Sequence, residues 1–167
     1  MPVTRVFLSL GSNLGDRLEC LRAAVAALGR GPRMKVIGAS KVYETVPVEV
    51  AEEQPDYLNC VVELECGVGA IECLRYCQGV EAALGRERKG EKAARTLDID
   101  VLLFGEEEIE EPDFLVPHAG VMRAFNLRGL ADLDLDLYIP ERGRVRELLA
   151  SARRGGIRMF GEAEELC

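Results

Sequence analysis

Residues 97–101 read Leu-Asp-Ile-Asp-Val, an alternation that an extended strand sorts into one dry face and one acidic face. Leu97, Ile99 and Val101 then point to a core, while Asp98 and Asp100 project together, about 6.5 Å apart along the backbone. Aspartate is poorly represented in strands, and two neighbouring carboxylates repel. A positive partner would offset that repulsion, and Mg2+, a hard cation bound by carboxylate oxygen together with substrate phosphates, is the economical candidate. The competing reading is a strand with one wet face. The chain contains a control for it: Asp132, Asp134 and Asp136 alternate with Leu133, Leu135 and Leu137, and are expected to form such a solvated face. What separates the first pair is the segment before it, RERKGEKAAR from Arg86 to Arg95, with five basic residues against two acidic.

That local positive charge stands out because the whole chain carries a net charge of −8 over 167 residues. An acidic chain of this kind is a poor candidate for nucleic acid, which favours concentrated positive charge. A basic loop beside paired carboxylates instead suggests a small polyanion bound with a metal, although a solvated loop would read the same way. The length suits one domain with a real core. With no apolar run long enough for a bilayer and no signal-peptide pattern, a soluble, cytoplasmic protein without membrane contact is expected. The six cysteines match no zinc or disulfide spacing and are expected to be reduced, buried thiols.

Periodicity gives the order strand, helix, strand, strand, helix, strand. Strands are expected at Val3–Leu10, Lys35–Tyr43, Tyr57–Cys66 and Leu97–Phe104. A helix is expected from Asp16, its capping residue, to Leu28, with Leu18, Leu21, Val25 and Leu28 on one face. A second covers Ala70–Leu84, with Ile71, Leu74, Cys77 or Gln78, and Glu81 at helical spacing. The segments 44–56 and 85–96 read as long loops. This βαββαβ order predicts an α+β, ferredoxin-like core: a largely antiparallel sheet with helices packed on one face. Further elements are expected near Glu107–Glu110, Arg123–Asp132 and Val145–Ala152. The domain is expected to span 1–154, with 155–167 a loosely held tail.

Gly11-Ser-Asn-Leu-Gly15 lacks both the lysine of a Walker loop and the dinucleotide spacing, and reads as a turn. His118 is the sole histidine; it is either structural or, if the chain folds back, a donor to a phosphate oxygen. Tyr57 and Phe125 are either core residues or two faces of a sandwich around a flat heterocycle, whose edge Asn59 could read through its amide.

Phe7-Leu-Ser-Leu-Gly-Ser-Asn-Leu-Gly-Asp16, Tyr43-Glu-Thr45, Gln54-Pro-Asp-Tyr-Leu-Asn59, Glu81 with Gly85-Arg86, Arg95-Thr-Leu-Asp-Ile-Asp-Val-Leu-Leu-Phe-Gly105, Val116-Pro-His118 and Arg123-Ala-Phe125 together resemble the 6-hydroxymethyl-7,8-dihydropterin pyrophosphokinase family of folate biosynthesis. The resemblance covers roughly residues 3–140. It implies transfer of diphosphate from ATP to the hydroxymethyl group of the pterin, releasing AMP. It further implies two Mg2+ ions on Asp98 and Asp100, with Arg86 and Arg95 neutralising the moving diphosphate. Gln78, Glu81, Arg95, His118 and Arg123 would contact ATP. Tyr57 and Phe125 would stack on the pterin, with Asn59 at its edge and the backbone from Thr45 to Val48 assisting. The partners implied are ATP and hydroxymethyldihydropterin; a monomer is the simplest state, and association with other folate-pathway enzymes is open. The chain departs from the family pattern at Lys92-Ala93-Ala94-Arg95, where Trp-Gly-Pro-Arg is common, and at Asp113, where a basic residue is common. A non-catalytic nucleotide- or pterin-binding relative with an altered lid loop is therefore the alternative reading.

Overall fold

The computed structural model describes residues 2–45, 56–85, 97–152 and 157–166. The chain runs β1 (Thr4–Ser12), α1 (Arg17–Gly29), β2 (Met34–Ala39), β3 (Val42–Thr45), β4 (Tyr57–Cys66), α2 (Ala70–Leu84) and β5 (Leu97–Phe104). A hairpin of β6 (Ile109–Glu111) and β7 (Phe114–Val116) follows, then α3 (Ala124–Leu133), the short strands β8 (Tyr138–Ile139) and β9 (Gly143–Arg144), α4 (Val145–Ser151) and β10 (Ile157–Gly161). A final 3-10 turn covers Ala163–Leu166. One six-stranded sheet has the order β10-β3-β4-β1-β5, with β2 also paired to β4. Its pairings are antiparallel, as the βαββαβ order predicts.

Several local expectations meet their structures closely. β5 occupies Leu97–Phe104, and the Asp16 carboxylate accepts from Glu19 N at 3.1 Å to cap α1, satisfying one of the orphan N–H groups of the first turn. Others differ. The stretch expected as one strand from Lys35 to Tyr43 is two, β2 and β3, both lying along β4. At the break, Ser40 N donates to Val61 O at 2.8 Å, and Ser40 Oγ accepts from Val61 N at 2.8 Å. A hydroxyl thus replaces the missing backbone partner. β1 runs on through Gly11 and Ser12, which the sequence reading places in a turn.

The sheet is covered on both faces, not one. Val6, Leu8 and Leu10 of β1, Leu58 to Cys66 at alternate positions of β4, and Leu97, Ile99 and Val101 of β5 form the first core with α1 and α2. Phe7, Val61, Leu102 and Leu103 form a second with α3 and α4 through Leu127, Leu130 and Val145. A register shift between Phe7 and Leu8 sets Leu103 opposite Phe7 and Val101 opposite Leu8. Leu102 is the extra residue of this bulge, so Leu102 and Leu103 both reach the second core while Phe104 returns to the first.

Helix α2 buries Cys73, Cys77 and Val80, whereas Ile71, expected on the inner face, is exposed. The buried stripe keeps helical spacing, but two of its three members are thiols acting as small apolar groups. Cys20, Cys60, Cys66, Cys73 and Cys77 are all reduced and buried, and burial raises the Cys66 thiol to about 11. The aspartates 132, 134 and 136 do not line a strand. They close α3 and the turn after it: Asp132 accepts from Tyr43 OH at 2.5 Å and from Lys41 N, Asp134 from Arg5, and Asp136 from Arg146.

The tail is likewise structured where described. β10 pairs with β3, setting Ile157 opposite Thr45 and Arg158 opposite Glu44. Arg22 of α1 donates to Glu165 O, and Leu166 is buried in the first core. Among the described residues no helix is long and apolar enough to cross a membrane.

Helix α3 approaches β4 at Gly129, where an added Cβ would lie 2.4 Å from Val61 Cγ2 and 2.9 Å from Val61 Cβ. Gly129→Ala would gain about 1 kcal/mol of helix propensity but overpack a β-branched side chain with little freedom to move, at about 1–3 kcal/mol. The clash should win, so the variant should have a lower urea midpoint than the wild type.

Candidate active site on the second face of the sheet

Antiparallel register fixes which side chains meet. Across the sheet, Tyr43 of β3 opposes Asn59 of β4, Asn59 opposes Gly11 of β1, and Gly11 opposes Asp98 of β5. On one side of this row, Thr45 opposes Tyr57; on the other, Val61 opposes Ser9 and Ser9 opposes Asp100. Directly opposed residues share a face. Thr45, Tyr57, Asn59, Gly11, Asp98 and Asp100 therefore lie on the face opposite α1 and α2. The second core begins two residues further along each strand, at Val61 after Asn59 and Leu102 after Asp100. The candidate floor is the part of this face that lies beyond the second core.

At the β3–β4 end, Asn59 is buried and its Nδ2 donates to Thr45 Oγ1 at 2.6 Å. The bond fixes the amide plane and leaves one Nδ2 hydrogen and the carbonyl oxygen for other partners. Tyr57 is half-buried beside it, and burial first, then the Asp98 charge, raises its phenol above the ordinary value. Gly11 lets its neighbours lie close over the strand between Asn59 and Asp98: a Cβ there would lie 2.9 Å from Asn59 Oδ1 and 3.6 Å from Tyr57 Cδ1. Sequence reading missed this residue because a strand glycine beside Ser-Asn-Leu-Gly looks like the start of a turn. Phe125, half-buried in the first turn of α3, belongs, like Tyr57, to neither core cluster among the described residues.

At the β5 end a cavity of about 350 Å³ opens between α2, β5 and the β6–β7 hairpin. Leu74, Gln78 and Glu81 of α2, Ile99 and Asp100 of β5, Phe114 of β7, and His118 with Ala119 line it. The structure thus brings Gln78, Glu81, Asp100 and His118 together. Glu81 Oε2 accepts from Ile99 N at 3.1 Å, satisfying a backbone donor on the edge of β5. His118 is held by its own N–H donating to Leu102 O at 3.0 Å. Its Nδ1 accepts from Gly120 N at 2.9 Å, so in the neutral ring the proton is assigned to Nε2, which points to Asp100 Oδ1 at 3.5 Å. Arg123, the exposed residue preceding α3, brings its Nε within 3.4 Å of the Cβ position of Gly120, and His118 Nδ1 lies 3.3 Å from it. Histidine and arginine therefore flank one glycine. Arg86, Arg95 and the segment after Thr45 lie outside the described residues.

The two aspartates join the halves. Asp98 stands in the row with Gly11 and Asn59, and Asp100 lines the cavity. Asp98 is exposed to solvent, yet partial desolvation by its surroundings and, secondarily, the Asp100 charge hold its carboxyl above the usual carboxylate range. Desolvation and a neighbouring like charge both disfavour the ionised carboxylate. Among the described residues no group of three or more His, Cys, Asp or Glu could by itself enclose a metal ion. Two hard oxygen donors with open coordination positions suit Mg2+, which keeps waters and binds through substrate phosphates. The cavity walls are themselves acidic, with Glu81, Asp100, Glu111 and Asp113. Bound cations would offset these acids when a polyphosphate enters.

The family described as 7,8-dihydro-6-hydroxymethylpterin-pyrophosphokinase matches residues 7–135. The chain belongs to that family. The 2-amino-4-hydroxy-6-hydroxymethyldihydropteridine pyrophosphokinase of Pseudomonas aeruginosa is 38% identical over 156 residues, covering 93% of this chain and 96% of the relative. The enzyme of the same name from Bacillus subtilis is 41% identical over 128 residues, covering 76% of each. A crystal structure of HPPK-DHPS in complex with substrates superimposes with a TM-score of 0.74 at 12% identity. The superposition covers 95% of this chain and 47% of that one, so the chain spans about half of the larger protein. At that identity the likeness speaks to the fold, and it places a pyrophosphokinase fold on this sheet.

The raised Asp98 carboxyl, desolvated first and repelled by Asp100 second, gives a signed expectation. Because the folded state raises the Asp98 pKa, its contribution to stability is lost as pH rises from the unfolded value through the folded one. Without divalent cations at pH 7, Asp98→Asn should therefore melt at a higher temperature than the wild-type pyrophosphokinase. The advantage should shrink as pH falls through the titration range of Asp98, as scanning calorimetry would show.

Proposed function

We propose that this chain transfers the terminal diphosphate of ATP to the hydroxymethyl group of 6-hydroxymethyl-7,8-dihydropterin, releasing AMP, on the floor between Asn59 and the cavity beside α2. The observation that carries this reading is the position of Asp98 and Asp100. They sit on one face of β5, the first in register with Asn59 and the second in the wall that holds Gln78, Glu81 and His118. A donor in the cavity and an acceptor on the Asn59 side would meet over this pair.

In the proposed reaction, the acceptor hydroxyl oxygen forms a bond to the β-phosphorus, the bond from that phosphorus to the α,β-bridging oxygen breaks, and AMP leaves with that oxygen. The hydroxyl proton is released. Such transfers depend on positioning and on neutralising charge. Two Mg2+ ions bound by Asp98 and Asp100 would supply that charge against the phosphate oxygens. His118, presenting Nε2–H beside Asp100, and Arg123 would bind triphosphate oxygens, and Gln78 and Glu81 would lie along the nucleotide. Arg95 and Arg86 would neutralise the moving diphosphate. Tyr57 and Phe125 would stack on the pterin, whose edge Asn59 would hydrogen-bond, with Thr45 fixing that amide. Association with a second folate enzyme is a natural extension, since a structural relative carries two activities on one chain.

The test is incubation with ATP, Mg2+ and hydroxymethyldihydropterin. AMP formed in step with pterin diphosphate is the expected result. Nucleotide binding without AMP would instead favour a non-catalytic relative, the reading that the Lys92-Ala93-Ala94 departure supports. Asp98→Asn and Asp100→Asn should each lower kcat by at least ~100-fold, comparable to loss of a preorganised electrostatic group, while remaining folded. Near-normal turnover in either would remove the metal assignment. Gly11→Ala, which crowds Asn59 Oδ1, should raise the pterin KM by about tenfold, equivalent to about 1.4 kcal/mol, and leave the ATP KM within twofold, as steady-state kinetics with each substrate varied would read.

A further inference from the structure

Glu44 is the middle residue of the Tyr43-Glu-Thr45 motif, and its side chain points away from the proposed pterin floor, toward α1. It is only 8% exposed. Two guanidinium groups meet it there. Arg17, the first residue of α1, donates from Nη1 to Glu44 Oε2 at 2.7 Å, and the same Nη1 donates to Asp56 O at 2.8 Å. Arg158 of β10 donates from Nε to Glu44 Oε1 at 2.6 Å and also from Nη2. The Arg17 guanidinium in turn lies 5.6 Å from the centroid of the Phe160 ring. Hydrogen bonds from Arg17, then from Arg158, hold the Glu44 carboxyl below the usual range.

This cluster is an odd way to obtain stability alone. Arg158 is largely exposed, so its pair contributes little to stability by itself, and a buried carboxylate carries a desolvation cost that an apolar side chain avoids. What the cluster does is geometric. Arg17 links the strand ending at Thr45 to the strand beginning at Tyr57, through Glu44 on one side and the Asp56 carbonyl on the other. β10 adds a backbone ladder to the open edge of β3, with Ile157 opposite Thr45. Thr45 is the last residue of a four-residue strand, and it supplies the oxygen that fixes the Asn59 amide. The amide orientation thus depends on the placement of β3, which is clamped from both sides.

We propose that Glu44 is a positioning residue for the pterin half of the site, and that Arg158 and strand β10 are parts of the acceptor-binding machinery reached through it. The proposal rests on the assignment of Thr45, Tyr57 and Asn59 to the pterin. It separates the two substrates, because among the described residues the cluster's hydrogen bonds and ion pairs reach neither α2, nor His118, nor the residues lining the cavity beside them.

The test is steady-state kinetics of the full chain with each substrate varied against a saturating level of the other. Glu44→Gln and Arg158→Ala should each raise the pterin KM about tenfold with the ATP KM within twofold of wild type. Arg158→Lys should recover part of the Arg158→Ala loss. The double variant Glu44→Gln with Arg158→Ala should be no worse than Glu44→Gln alone, because both remove one coupling. A partly unfolded sample lowers kcat but not KM, so the readout survives a loss of stability. Pterin KM within twofold of wild type in both single variants overturns the proposal, as does a parallel rise in the ATP KM. Asn59→Ala identifies which idea has failed. If it raises the pterin KM and Glu44→Gln does not, only the positioning role falls; if it leaves the pterin KM unchanged, the assignment of the floor falls and this proposal with it.

Discussion

Antiparallel register between β4, β1 and β5 is the constraint on which the rest depends. It lays Asn59, Gly11 and Asp98 in one row and Ser9 with Asp100 in the next. A slip of one residue would turn each of these side chains into the core packed by α1 and α2. The register is strongly held because the alternate positions, Val6 to Leu10, Leu58 to Cys66 and Leu97 to Val101, form that core. Burial on one face thus fixes the chemistry on the other. The bulge at Leu102 then changes the phase of β5, so that the strand presents acids to the floor and, a few residues later, two leucines to α3 and α4.

The proposed site works against the local preferences of its own scaffold. Glycine weakens a strand, aspartate is disfavoured there, and Asp98 and Asp100 repel. These choices cost stability, and the two cores offset them. Asn59, Thr45 and Glu44 illustrate the complementary strategy: each is polar and buried, and each has a hydrogen-bond partner. Paired carboxylates and fixed amide geometry are therefore segregated on the sheet, with Gly11 between them.

Legibility followed the range of the interactions. The limits of β5, the Asp16 cap and the positions of α3 and α4 were readable because alternation, capping and helical periodicity are local signals. The inner face of α2 differs by one position from the expected stripe of Ile71, Leu74, Cys77 or Gln78, and Glu81, because neighbouring apolar residues compete for the same face: Cys73, Cys77 and Val80 are buried while Ile71 is exposed. The aspartates that close α3 imitate a strand face in sequence but serve Tyr43, Lys41 and Arg5, remote along the chain, and the nearer Arg146. The same holds for β10, whose place beside β3 depends on a pairing between residues 114 apart, as Glu44 and Arg158 are. For the candidate site, the carboxylates and the histidine stood out by residue type. Gly11 and Glu44 did not, since one matters for what it lacks and the other acts from behind the sheet.

The thiols packed beneath α2 have a practical corollary. The chain contains no tryptophan, so the usual optical reporter of opening is missing. Cys66, with its thiol raised to about 11, and its neighbours Cys73 and Cys77 are sealed between sheet and helix. A thiol-directed reagent would reach them only when that helix lifts, making the rate of their modification a clock for local breathing of the layer that carries Gln78 and Glu81.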